Sequence, residues 1–330
     1  MKKFSKYFIF KYFIISDRFN FKKLLNLLFA LFHGILFKDI SSSTYPPVIV
    51  FENSNECNLS CSGCGYQLWI RNGINKKANF DINKYYDMLN ESYKYILGLV
   101  FYIGGEPFIN DSSFAMIKYA NNYGIKTISS TNGSYSIPNF AEKIINSGLD
   151  IIIFTISGVT QEIHSHYHVG GNLSLTLNSI KNLVNLKHQL KKKRPFIVLR
   201  YILFDYNNFQ VDNFIQLAGE SNVDFYEIRE NESNFWPKNN NPTQTDTNLN
   251  FCWYPWFTLI IRADSTVIPC CYEIEELNDV TILDSQSIKE VWNNQDFKKL
   301  RRDLLNGRKN IPGCNKCLNG QIPNLFFHLS

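Results

Sequence analysis

The chain has 330 residues, of which 45% are hydrophobic and 19% charged. That is enough apolar material for a sizeable core and excludes a disordered or fibrous protein. The net charge is +5, but residues 1–40 hold eight basic and two acidic side chains, which leaves 26 basic against 27 acidic in the remainder. So neutral a body excludes a nucleic-acid-scale basic surface, and eight cysteines are too dilute in this length for a disulfide-stapled mini-domain.

The first forty residues are aromatic, basic and apolar in short stretches broken by Lys11, Asp17, Arg18, Lys22 and Lys23. Their longest uncharged run, Leu24 to Phe37, has fourteen residues, short of the roughly 20 that a spanning helix needs. Two amphipathic helices are expected, either packed on the body as a cap or lying at a membrane surface with lysines at the headgroups. Amphipathicity alone leaves both open. Nothing like a small-residue cleavage site follows, so the expected location is cytoplasmic, with peripheral contact at the inner membrane face as the variant.

After Tyr45-Pro46-Pro47 the text alternates short β-rich runs with helical patterns. Strands are expected at Val48 to Glu52, Leu99 to Ile103, Lys126 to Ser129, Ile151 to Ile156, Phe196 to Leu203 and Phe225 to Ile228. Helices are expected at Ile82 to Leu97, Ser112 to Asn122, Asn139 to Asn146, Leu173 to Leu190 and Asn208 to Ser221. This is an α/β chain with a parallel sheet, either an incomplete barrel or an open doubly wound sheet, and its chemistry belongs at the C-terminal strand ends. Residues 236–250 are polar, rich in Asn and Thr, and read as a linker. Beyond them a hairpin is expected around Ala263-Asp264-Ser265, then a basic amphipathic helix over Ile288 to Leu305. About seventy residues make a small core, and a bound metal or cluster would supply the missing stability.

Cys57, Cys61 and Cys64 follow the first of these strands in one loop. Three thiolates on a four-iron cube leave one iron open to a small molecule, whereas a closed zinc site wants a fourth ligand and the next histidine is His164. With its spacing of three residues, then two, this loop resembles that of the radical S-adenosylmethionine superfamily. Phe101-Tyr-Ile-Gly104-Gly105-Glu106-Pro107 at the second strand end looks like the motif that holds the methionine amino group. Ser130-Thr-Asn132-Gly133 and Thr155-Ile-Ser157-Gly158 are similar to its later strand-end motifs, which implies hydrogen bonds from Asn132 and Ser157 to the ribose and methionine carboxylate. Arg200 sits mid-strand, where a charge needs a partner; it is expected to face the barrel and meet a carboxylate of the cofactor or substrate. The superfamily usually has an aromatic residue before the third cysteine; here it is Gly63, with Tyr66 or Trp69 as substitutes. The segment holding His164, His166 and His168 aligns with a loop leading to the next helix, and is not expected to hold metal.

Cys252, Cys270, Cys314 and Cys317 surround the hairpin and the basic helix. This region resembles the twitch domain, the shortened form of SPASM, in which four thiolates close one auxiliary [4Fe-4S] cluster. Cys271 is the thiol left over, or the replacement for Cys270. Zinc is the alternative for this set on residue types alone. The hairpin turn differs from the family, with Asp264-Ser265 where Asp-Gly is usual.

The resemblance covers residues 47 to about 320 and implies a partial (β/α)6 TIM-like barrel over 47–235. A helical extension over 1–46 precedes it, and a small α+β SPASM-like domain over 251–321 and a tail over 322–330 follow the linker. It implies S-adenosylmethionine and two [4Fe-4S] clusters, one in the barrel and one auxiliary. It also implies a reductase such as flavodoxin or ferredoxin, and a radical oxidoreductase that takes hydrogen from its substrate. No eighty-residue winged-helix candidate for leader-peptide recognition is evident, which favours a small-molecule or glycan-like substrate over a peptide. A metal-stabilised binding module without catalysis is the reading of another class, and a membrane-recruited scaffold a third.

Overall fold

The computed structural model describes residues 2–5, 8, 11–12, 20–65, 76–230, 252–270, 281–283, 286–311 and 314. The linker 236–250, the tail, Tyr66, Trp69, Cys271 and Cys317 lie outside them.

The expected strands form where they were read: β2 (Val48–Phe51), β3 (Gly98–Val100), β4 (Lys126–Thr131), β5 (Ile151–Ile156), β6 (Phe196–Leu203) and β7 (Phe225–Glu230). They pair in parallel in chain order. Helices α2 (Ile82–Ser92), α3 (Ser113–Asn122), α4 (Phe140–Ser147), α6 (Leu173–Gln189) and α7 (Val211–Glu220) connect them. α2 ends five residues before the expected Leu97, because Tyr93 to Leu97 turn back into β3, with Leu97 donating to Pro47.

Alternation along the strands sorts the core into two faces. Ile49, Phe51, Leu99, Ile152, Phe154 and Leu199 pack against Tyr85, Met116, Ile144, Leu183 and Phe214 of the helices. Val48, Val50, Val100, Ile128, Ile153 and Val198 point to the other face and pack together. Helices gathered on one side of a parallel sheet make a partial barrel and not a doubly wound layer.

The sheet runs on beyond six strands. At one side β8 (Thr258–Ile261) pairs in parallel with β2, then β9 (Thr266–Ile268) and β10 (Thr281–Ile282) follow antiparallel. At the other side β1 (Lys2–Lys3) pairs in parallel with β7. The expected helix over 288–305 is two, α9 (Ile288–Trp292) and α10 (Gln295–Leu305), because Asn294 turns out of helical geometry and caps α10 by accepting from Phe297 N. Between them and α8 (Tyr254–Phe257) lies Arg301, fully buried, donating to Pro255 O and Trp292 O and stacked over the Trp292 ring.

The extension caps the N-terminal end of the strands with one face. Phe8 packs edge-on to Phe196 and against Phe225, and the Tyr12 hydroxyl donates to Asp150 at 2.6 Å. Of the extension's expected helices the longer is α1 (Phe21–Leu31), continued by a wider turn over Phe32–Phe37. On α1, Lys23 Nζ donates to Gly124 O, and Asn26 to Tyr45 O and Tyr95 O. All three acceptors precede strands.

Candidate active site

The segment after β2 is clamped from three sides. Asn53 donates to Pro107 O at 2.7 Å, and Glu106 N to Glu56 O at 2.7 Å, which ties it to the turn after β3. Asn58 donates to Ser134 O and accepts from Asn132 Nδ2, both in the turn after β4. Ser60 N and Ser62 N donate to Val169 O and Tyr167 O, each at 2.9 Å, at the end of α5 (Gln161–Tyr167). Between these clamps Cys57, Cys61 and Cys64 are half-buried and unbridged.

All three thiols lie near the Tyr167 hydroxyl. Burial raises the Tyr167 hydroxyl well above its usual pKa, and negative charge on Cys64, Cys61 and Cys57 adds to the rise. Burial, with Glu106 and Cys64 nearby, likewise pushes the Cys57 thiol up to about 12. Three half-buried thiols in one loop suit cationic iron, which favours their deprotonated forms. Among the described residues no three His, Cys, Asp or Glu side chains gather closely enough to hold a single metal ion; thiolates on separate corners of a cube stand further apart. Three thiols on one loop are donors of the type that suits iron.

Two glycines are required here. Gly63 has φ +74°, a conformation in which an aromatic residue would be strained, and this accounts for the departure at that position. A Cβ on Gly105 would stand 2.3 Å from Ser54 O and 2.7 Å from Glu56 O, so only glycine lets the turn after β3 lie beneath the cysteine loop. Gly104 is half-buried next to it, its backbone helping to lower Glu52, while Pro107 opens the short turn Pro107–Ile109.

Glu106 is buried, and its carboxylate accepts from Thr131 Oγ1 and Asn132 N, both at 2.8 Å, and from the Tyr135 hydroxyl at 3.3 Å. Burial lifts it to about 7 against those donors. Asn132 turns its amide toward Asn58 and, at 4.0 Å, Cys57 Sγ. Ser157 is fully buried, its hydroxyl 2.7 Å from His168 Nδ1 and donating to His164 O. The resemblance implies a loop at α5. It is a helix whose His164 and His168 rings stack, both kept neutral by burial, with His168 further lowered by His164. Arg200 Nε donates to Glu227 of the neighbouring strand at 2.7 Å. Tyr167 and Glu227 are the residues sequence reasoning missed, since nothing in the spacing of QEIHSHYH or FYEIRE singles them out.

In the second cysteine group, Cys270 follows β9, which runs back from the end of the sheet where Cys57 lies. Cys252 and Cys314, both half-buried, pack against the apolar cluster of Tyr254, Trp256 and Leu304. The hairpin turn puts Ser265 at φ +71°, where glycine is the easier residue.

Residues 252–318 match the SPASM family, an iron-sulfur cluster-binding domain, and so enclose all five of the later cysteines. A pre-heme d1 synthase of Dinoroseobacter shibae is 22% identical over 188 residues, covering 57% of this chain and 44% of the synthase. The chain carries a SPASM domain and is similar to radical SAM enzymes. A SPASM domain binds an iron-sulfur cluster, and solved structures that share this fold include ones bound to S-adenosylmethionine. The chain spans about half the length of the curated relatives it matches. Two solved radical SAM structures share the fold. Streptococcus suis SuiB bound to its precursor peptide SuiA has a TM-score of 0.63 at 12% identity, covering 79% of this chain and 68% of that one. BtrN in complex with AdoMet and 2-DOIA has 0.51 at 16%, covering 83% and 93%.

Proposed function

We propose that Cys57, Cys61 and Cys64 hold the radical SAM cluster, with S-adenosylmethionine lying over the turns at 104–107, 132–133 and 157–158. On this reading the enzyme oxidises a small, hydroxyl-rich or glycan-like molecule. When bound, the cluster and its cofactor supply abstraction of hydrogen from an unreactive C–H bond. The observation that carries the reading is that one loop at the C-terminal end of β2 holds three half-buried thiols, all near Tyr167.

This chain's residues then have distinct tasks. Glu106, by accepting from Thr131 and Asn132, fixes the turn that Asn58 uses to hold the cysteine loop. Gly104 and Gly105 bring backbone close, and Asn132 presents its amide beside Cys57. Ser157 Oγ is committed to α5, which leaves backbone at 157–158 as the polar group toward a ligand. The substrate reading rests on the barrel-facing positions above the apolar layer, where the Arg200–Glu227 pair, Tyr102 and the Ser130–Thr155 hydroxyl pair replace Val198, Phe225, Val100, Ile128 and Ile153. Such a lining matches hydroxyls. Cys252, Cys270, Cys314 and Cys317 would hold the auxiliary cluster, whose four thiolates leave no open iron and suit electron uptake in a net oxidation. The likeness to peptide-bound SuiB favours a second reading, a peptide substrate.

Anaerobic reconstitution tests the assignment. It predicts about eight irons per chain and formation of 5′-deoxyadenosine on reduction. Iron below about four with zinc in its place would end it.

A further inference from the structure

While the inner face of α1 is pinned to the barrel, its outer face is bare. Leu25, Leu28, Phe29, Phe32, Leu36 and Phe37 are between 37% and 68% exposed. A groove of about 580 Å³ runs among them with almost no polar lining. Isolated exposed apolar residues are ordinary, but a contiguous set on one helix marks an interaction surface.

The charges around it identify the occupant. Lys22 and Lys38 flank the patch, and Lys94 lies in the turn that α1 contacts before β3. At the same end of the barrel, the turn before β6 exposes Lys191, Lys192 and Lys193 in succession. The nearby acids are largely engaged: Asp150 accepts from Tyr12 and Arg194, Asp224 from Lys187, and Asp39 lies 3.0 Å from His33. Lysines exposed at this end would repel a second copy, whereas they complement anionic headgroups, with the rings and leucines entering the interface. No helix among the described residues is long and apolar enough to cross a membrane.

We infer that the strand-start end of the barrel is a peripheral docking surface for an anionic lipid bilayer, seated through the outer face of α1 and the lysines exposed at that end. The cysteine loop stands at the opposite end and so opens away from the bilayer. This inference is independent of the cofactor assignment, because neither the patch nor the lysines touch the cysteine loop.

Co-sedimentation of the full chain with vesicles tests it. Binding is expected to phosphatidylglycerol–phosphatidylcholine vesicles and not to phosphatidylcholine alone, and raised salt should weaken it. The double variant Phe29→Ser/Phe32→Ser and the triple variant Lys191→Gln/Lys192→Gln/Lys193→Gln should each weaken binding about tenfold or more. These side chains are exposed, so unchanged melting curves will confirm that the variants fold. Equal sedimentation with both vesicle types, or variants that bind like the parent, would overturn the inference. So would light scattering that shows a dimer broken by Phe29→Ser/Phe32→Ser in a chain that ignores vesicles, since a second copy would then be the occupant.

Discussion

The two ends of the barrel are held by different physics. At the strand starts the extension packs ring against ring, Phe4, Phe8 and Tyr12 on Phe196 and Phe225, with a few buried polar ties such as Tyr12–Asp150 and Lys23–Gly124. At the strand ends, where Cys57, Cys61 and Cys64 lie, backbone and amide hydrogen bonds do the holding, at Asn53, Glu56, Asn58, Ser60 and Ser62. Apolar packing tolerates adjustment and gives bulk stability; directional bonds fix atoms in place but leave thiols accessible. A chain that must present sulfur to a cofactor needs the second kind of order there and can use the first kind elsewhere.

The largest effect should come from crowding the cysteine end. Gly105→Ala puts a methyl group against the carbonyls of Ser54 and Glu56, so unfolding in urea should show a loss of about 3 kcal/mol. Reconstituted protein should lose iron from the first cluster while keeping the second.

Glu52 supplies a pH test of the same end. It is buried, accepts from Ala263 N at 3.0 Å, and burial lifts it from 4.5 to about 7. The folded state therefore binds more protons than the unfolded one between those values, so this group makes stability fall as pH rises from 4.5 through about 7 and stay level above. His164 and His168, lowered by burial, act in the opposite direction through the acid part of that window. Glu52→Gln should remove the falling contribution, of the order of 3 kcal/mol across the window. The check is urea midpoints of the apo-protein at a series of pH values: a variant and parent that keep a constant difference would contradict it.

At the opposite end, Tyr12→Phe removes one donor from Asp150, which retains Thr127, Arg194 and Lys126. A loss of about 1 kcal/mol in thermal or urea unfolding is expected, with iron content unchanged. The smallest effect is a gain. Ser265→Gly relieves a left-handed backbone in the β8–β9 turn, and stability should rise by about 0.5–1 kcal/mol.

Much of this contrast was legible in the sequence, for reasons that can be stated. Strand alternation and the turn residues between elements are local, so six strands and most helices fall within a few residues of expectation. The break at Asn293–Asn294 escaped because an apolar helical period continues across it, and only the Asn294 cap shows the interruption. α5 escaped because it is seven residues long and its histidines resemble a polar loop. Arg200 was expected to seek a carboxylate, but the partner, Glu227, is 27 residues on and becomes a neighbour only through the β6–β7 register. The pairing of β8 with β2 brings residues about 210 apart together, and no local pattern encodes it. The extension gave its amphipathic character but not which face would dock; the barrel's strand starts decide that.

The most direct test of the central claim is the electron paramagnetic resonance spectrum of reduced, reconstituted protein with and without S-adenosylmethionine, recorded on a Cys252→Ala/Cys314→Ala variant so that the first cluster is seen alone. A [4Fe-4S] signal that changes shape on adding S-adenosylmethionine, and that vanishes when Cys61→Ala is added, is the predicted result. A signal indifferent to the cofactor, or one that survives the loss of Cys61, would contradict it.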